Sequence, residues 1–183
     1  MGNLLPDATS DKKVSHFRNP EYYGNMIEYP DLDLFLDKYR DWLEDSAAFG
    51  YYFHLYVDRC YFKDYFPANF TCLDANFQEA TKMSEVTQFR IKSTGEVIPR
   101  SRFFSDEYYY GDFTKMNNYL IERFGLRFDF QVPEGEHVID EVRYEDIHMV
   151  LEGIHEFTKT PKEAVEDLKE INCSVIGNLA EGE

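Results

Sequence analysis

Only three cysteines occur in the 183 residues, Cys60, Cys72 and Cys173, and no two are spaced as Cys-x-x-Cys. Their odd number and wide spacing exclude a disulfide framework and the thiolate pairs of a structural zinc site. The chain has just 7 Pro and 10 Gly, with no Pro/Gly/Ser-rich linker, no internal repeat and no low-complexity tract. Nowhere does an apolar run approach the roughly 20 residues that a membrane-spanning helix needs. The opening Met1-Gly2-Asn3-Leu4-Leu5-Pro6 lacks a signal-peptide run, and Pro6 stands where a myristoylation motif has Ser or Thr. Without a secretion signal, the sequons at Asn69 and Asn172 are chance matches, and the expected compartment is a reducing cytoplasm (that of the host, if the chain is phage-encoded). There is no nucleophile elbow, His-Glu-x-x-His helix, phosphate loop or dinucleotide fingerprint. Basic residues are also scarce, at 19 Lys and Arg against 35 Asp and Glu. The resulting charge of −16 repels nucleic-acid phosphates and anionic membranes and attracts cationic protein surfaces.

Aromatic side chains are abundant, with 16 Phe and 14 Tyr. Phe fills cores, whereas Tyr also serves at surfaces that meet partners. The length and the 43% hydrophobic content fit a single globular domain over residues 21–178, with a loosely ordered segment before it (1–20) and a short acidic tail after it (179–183). Helical spacing of Leu32, Phe35, Leu36, Tyr39, Trp42 and Leu43 after Asp31 predicts a helix over 31–48, ended by Gly50. The aromatic run 51–57 reads as a strand, with a second at 60–66. Alternation around Ser93-Thr94-Gly95 predicts a hairpin over 86–100, and Arg102–Phe104 suits a further strand. Asp112 and Gly125 bracket a helix over 113–124. Leu126 to Val132 alternates as a strand, residues 144–157 and 161–171 are helical, and 173–176 suits a last short strand. Strands and helices segregate rather than alternate, so the predicted class is α+β, a mainly antiparallel sheet of about 4–6 strands packed by about four helices.

Charge is distributed unevenly. Residues 86–130 are close to neutral, whereas 31–85 and 131–183 are acidic. On the first predicted helix Asp33, Asp37 and Asp41 recur every fourth residue, joined by Glu44 and Asp45. Like charges at that spacing cost roughly 0.2–0.5 kcal/mol per pair, so helix stability alone does not select them. Glu145, Glu152 and Glu156 begin a second acidic row on the C-terminal helices, which could imitate phosphates. The tyrosines Tyr108, Tyr109 and Tyr110 are candidate contact residues beside these carboxylates.

Two further constellations carry chemistry. Glu145-Asp146-Ile147-His148 and Glu152-Gly153-Ile154-His155 repeat Glu-x-x-His one heptad apart. Carboxylate-bridged metal proteins place such copies on two facing helices rather than on one, so no metal or other cofactor is expected here. His54, with Cys60 as its candidate partner, is the candidate for nucleophilic chemistry, although a buried structural histidine is the commoner fate. Arg90, Lys92, Arg100 and Arg102 lie among aromatics, a pattern that suits single-stranded nucleic acid, but pairing with the chain's own acids accounts for them more simply. In being small, acidic and Tyr-rich the sequence resembles phage anti-defence proteins and nuclease immunity proteins, in composition alone. That points to a non-enzymatic protein that inhibits or neutralises a basic, nucleic-acid-handling partner without touching nucleic acid or membrane itself. A small metal-dependent or histidine-based hydrolase using the Glu-x-x-His helix is the alternative, and a scaffolding subunit of a larger assembly is the third.

Overall fold

The computed structural model describes residues 2–126, 139–143, 146, 147 and 150. The strands expected over 127–132 and 173–176, the helix over 161–171 and most of that over 144–157 lie outside the described residues. Those described form two compact units, one of residues 2–64 with the described part of 129–155, the other of residues 65–126. The chain is mixed helix and antiparallel sheet, as α+β requires, with three strands among the described residues.

In the first unit, Asp31 starts helix α2 (Leu32–Tyr39) by accepting the backbone N–H of Asp33 at 3.1 Å. Leu32, Phe35 and Tyr39 form its buried stripe. The helix expected to run on to residue 48 stops here, and a 3-10 turn (Arg40–Trp42) intervenes. Asp45 then caps a new helix, α3 (Ser46–Arg59), accepting from the amides of Ala47 (2.9 Å) and Ala48 (3.0 Å). Residues 51–57, expected as a strand, belong to α3. Their aromatic β-propensity yields to the cap and to a buried face of Ala48, Tyr51 and Leu55 at helical spacing. The expected strand at 60–66 is likewise helical, a π-helical segment (Cys60–Tyr65).

Gly50, expected to end a helix, lies inside α3, where a Cβ would come within 2.8 Å of the Asn3 backbone nitrogen. The glycine is required by close approach, because the N-terminal segment packs directly on α3. That segment, expected to be loose, runs as a 3-10 helix (Gly2–Asp7) into a short helix α1 (Lys12–Ser15), and Leu5, Ser15 and His16 are buried. The Tyr51 hydroxyl donates to the Ser15 carbonyl. The core is strongly aromatic, with Phe35 stacked on Tyr51 at 5.6 Å between centroids and Phe17 edge-on to both. Ile139, Val142 and Ile147 complete it. Glu141 anchors this return segment by accepting from the Tyr39 hydroxyl (2.7 Å) and the Lys38 ammonium (2.8 Å). Because Asp45 satisfies two otherwise orphaned amides, Asp45→Ala should destabilise the first unit by about 1 kcal/mol, read as a lower denaturation midpoint.

In the second unit, α4 (Phe66–Asn69) leads into β1 (Phe70–Leu73), which pairs antiparallel with β2 (Gln88–Ile91), itself paired with β3 (Val97–Pro99). The predicted hairpin is present as β2 and β3, turning at Gly95 with φ +76°. Arg100–Phe103, expected to include strand, is instead a short helix α5. It places Phe103 in contact with Phe89 (4.2 Å), Phe70 (5.1 Å) and Phe104 (5.0 Å). Helix α6 (Tyr109–Phe124) starts before the predicted Asp112 cap. Tyr109 packs on Phe103 and Phe104, and the missing side chain of Gly111 lets the Asp106 carbonyl approach. Gly125 ends α6 in the left-handed conformation, as expected.

Candidate functional site

The acidic row on α2 and the turn after it is placed in water. Asp33, Asp37, Asp41 and Glu44 are exposed. Among the described residues, no Lys, Arg or His lies within ion-pair distance of any of the four. Lys38, the cation interleaved with them, turns instead to Asp140 (3.1 Å) and Glu141 (2.8 Å). Hydrogen bonds to these two carboxylates and to Tyr39 outweigh the effect of burial and raise the Lys38 pKa. Asp45 is also exposed, but its carboxylate is committed to capping α3. Apolar side chains accompany the row, with Trp42 52% and Leu34 38% exposed. Helix α3 adds Phe49, Phe53, Tyr56 and Val57, which share a face at i, i+4, i+7 and i+8 and are all exposed.

The tyrosine cluster is divided. Tyr108, expected as a surface contact, is buried, and its hydroxyl donates to Glu96 at 3.2 Å. Tyr109 is half-buried against Phe103 and Phe104. Tyr110 remains exposed. Tyr108 is held by Glu96 and by the Arg102 guanidinium over its ring, whereas Tyr109 is drawn onto the Phe cluster of the second unit. Three of the four hairpin cations are engaged within the second unit, two of them by carbonyls rather than by acids. Lys92 donates to the Pro67 carbonyl (2.7 Å), Arg100 to those of Met83 and Val86, and Arg102 forms a two-point pair with Glu107. Glu145, Glu152, Glu156, His148 and His155 lie outside the described residues.

An arrangement absent from the sequence expectations lies in the first unit. His16, at the end of α1, and His54, on α3, point their Nε2 atoms at each other across 3.3 Å. Asp7 and Asp58 flank the pair. Asp7 oxygens lie 3.6 Å from His16 Nε2 and 3.8 Å from His54 Nε2, and Asp58 Oδ2 lies 3.5 and 3.7 Å from the same atoms. The outer ring nitrogens are held as well, His54 Nδ1 at 2.8 Å from the Asn3 carbonyl and His16 Nδ1 at 3.1 Å from the Ser15 hydroxyl. Burial pushes the His16 pKa down to about 4, more than the carboxylates of Asp58 and Asp7 restore. Burial also opposes protonation of His54, but the hydrogen bond and charge of Asp58, with the charge of Asp7, prevail and raise its pKa. Both ring nitrogens of His54 are thus engaged by groups other than Cys60. The only signal that could have pointed to the cluster is His54 and Asp58 at i, i+4, which is visible once 46–59 is read as helix. Asp7 and His16 carry no local motif.

Cys60 and Cys72 are free thiols. Burial pushes Cys72, on β1, up to about 11, against a small opposing effect of Arg100. Its thiolate should be roughly 100-fold scarcer at pH 8 than that of a cysteine titrating at 9. Iodoacetamide labelling followed by mass spectrometry should find it correspondingly slow, accelerating about tenfold per pH unit until the pH nears 11.

No protein-family model matches the chain, and neither a curated protein nor a solved structure resembles it. No helix among the described residues is long and apolar enough to cross a membrane.

Proposed function

We propose that this chain is a non-enzymatic acidic binding protein whose α2 face docks a basic protein partner and blocks or neutralises it. One observation carries the reading, namely the exposure of Asp33, Asp37, Asp41 and Glu44 with no cation against them among the described residues. Apart from Asp33, which the N-terminal end of the α2 dipole favours, these carboxylates have no favourable partner among the described residues, and Asp33 and Asp37 repel each other at i, i+4, which favours a role met outside the fold. Facing a cationic surface, they would speed encounter in a salt-sensitive way. Trp42 and Leu34 beside them, and the Phe49–Phe53–Tyr56 stripe in the same unit, supply apolar area of the type that gives affinity once water is excluded. A partner that handles nucleic acid fits best, because its phosphate-binding surface is already complementary to a row of anions.

The test is capture from an extract of the cells that make the protein, using wild type and an Asp33→Asn/Asp37→Asn/Asp41→Asn variant. Wild type should retain a discrete basic protein at low salt and release it at high salt, and the variant should retain at least tenfold less. Equal retention by both removes the α2 face from the account.

A further inference from the structure

We propose that His16, His54 and Asp7, with Asp58 beside them, form a binding site for a divalent transition-metal ion of the zinc class. This goes beyond the partner-binding reading and does not depend on it.

The Asn3 carbonyl can only accept a hydrogen bond, so at 2.8 Å the His54 Nδ1 must carry the proton. On the other ring, the Ser15 hydroxyl gives its own hydrogen to the Pro6 carbonyl at 2.8 Å. Its oxygen is thus left to accept from His16 Nδ1. Both neutral rings therefore present a lone pair at Nε2, and these two lone pairs face each other across 3.3 Å. Two lone pairs cannot bond to each other. They need a proton or a cation between them, and the flanking carboxylates favour positive charge at that point.

The spacing fits a metal. Donor atoms held about 2.0–2.1 Å from a tetrahedral zinc ion stand roughly 3.3–3.5 Å apart. The separations around the pair, 3.3 to 3.8 Å, are close to those edges. Donors from Asp7, His16 and His54 all lie within 4.8 Å of one another. Two imidazoles with carboxylate oxygen form a ligand set suited to zinc and its neighbours in the first transition row, and not to calcium or magnesium. The support behind the ligands is equally characteristic, since each ring donates its second nitrogen to a backbone carbonyl or a hydroxyl that fixes its tautomer and orientation. His16 is buried, whereas Asp7 is half exposed and its Oδ1 also meets the exposed Lys12 ammonium at 2.9 Å, a pair that a bound ion would have to displace. Three chain segments meet here, so a bound ion would pin residues 7–16 to α3.

The full chain, stripped with a chelator and dialysed, is titrated with Zn2+ by calorimetry and with Co2+ by visible absorption. Wild type should bind one equivalent of each, with cobalt giving the strong bands of low-symmetry coordination, and zinc should raise the melting temperature. Asp7→Asn, whose side chain is half exposed, should keep the fold and bind at least tenfold more weakly, and His54→Gln should lose binding altogether. Glu21→Gln, an exposed control, should bind as wild type does. If His54→Gln does not fold, the Asp7→Asn titration and zinc-induced shifts of the His16 and His54 ring signals in NMR carry the decision. Failure of wild type to bind either ion would show that the two imidazoles share a proton instead, and would overturn the proposal. Undiminished binding by Asp7→Asn and His54→Gln would place the ion elsewhere, for instance on the Glu-x-x-His repeats, and overturn it equally.

Discussion

Phe35→Ala should cost the first unit about 3–5 kcal/mol, the range for truncating a large aromatic in a close-packed core. Phe35 is fully buried and lies within 5.9 Å, centroid to centroid, of Phe17, Tyr39, Tyr51 and Tyr52. Removing the ring leaves four aromatics around a void that none can fill without leaving its rotamer, so little relaxation is available. The loss reaches the proposed binding face directly, because Phe35 is the middle residue of the stripe that seats α2, and Asp33 and Asp37 of the acidic row occupy the opposite side of the same helix. Chemical denaturation followed by circular dichroism should show the midpoint falling steeply, with Phe35→Leu retaining much of the difference. Phe49→Ala, the same deletion at an exposed position on α3, should change stability by no more than about 0.5 kcal/mol. Comparable effects at the two positions would contradict the described burial.

The second large effect is expected at Phe103. This ring is fully buried between β2 and α6, stacked on Phe89 and in edge contact with Phe70 and Phe104. The sheet of the second unit is small and short-stranded, and such sheets are marginal unless one face is packed. Phe103 is the centre of that packing, so Phe103→Ala should also cost about 3–5 kcal/mol. Limited proteolysis should then open cleavage sites within 65–126 that the wild type protects. Tyr108 offers an internal check. Its hydroxyl bond to Glu96 is a single polar contact, and Tyr108→Phe should cost only about 0.5–1.5 kcal/mol.

The hairpin and the end of α6 were legible because each rests on a local rule, Gly95 and Gly125 both adopting positive φ where the sequence placed turns. Helix α2, the first half of the helix expected over 31–48, was legible from the Asp31 cap and the Leu32, Phe35, Tyr39 spacing. The residues 51–57 misled for a definite reason. Tyr, Phe and Val favour strands, and the helical alternative depends on Asp45 acting as a cap and on Gly50 accepting the Asn3 backbone, a contact 47 residues away in sequence. The same contact explains why the N-terminal segment looked loose, since its polar residues are held by backbone approach and by Ser15, His16 and Tyr51 rather than by an apolar pattern. Of the contact residues, the exposure of Asp33 and Asp37 followed from helical periodicity, whereas Asp41 and Glu44 lie beyond the end of α2. Burial of Tyr108 did not, because its partners Glu96 and Arg102 are brought to it only by the fold of the hairpin and α5. The imidazole pair was illegible for the strongest reason, its members arriving from three segments that only the folded chain brings together.

The central claim is that position, not net charge alone, makes the α2 row a binding surface. Its most direct measurement compares two variants of identical charge in the same capture experiment at about 50 and about 500 mM salt, where screening lengths differ roughly threefold. One carries Asp33→Asn, Asp37→Asn and Asp41→Asn, and the other neutralises three exposed acids of the second unit, Glu79→Gln, Asp106→Asn and Glu122→Gln. The account predicts that the second binds the basic partner as wild type does at low salt, and that the first loses at least tenfold. Equal losses in both variants would show that bulk acidity governs the interaction and would contradict the claim.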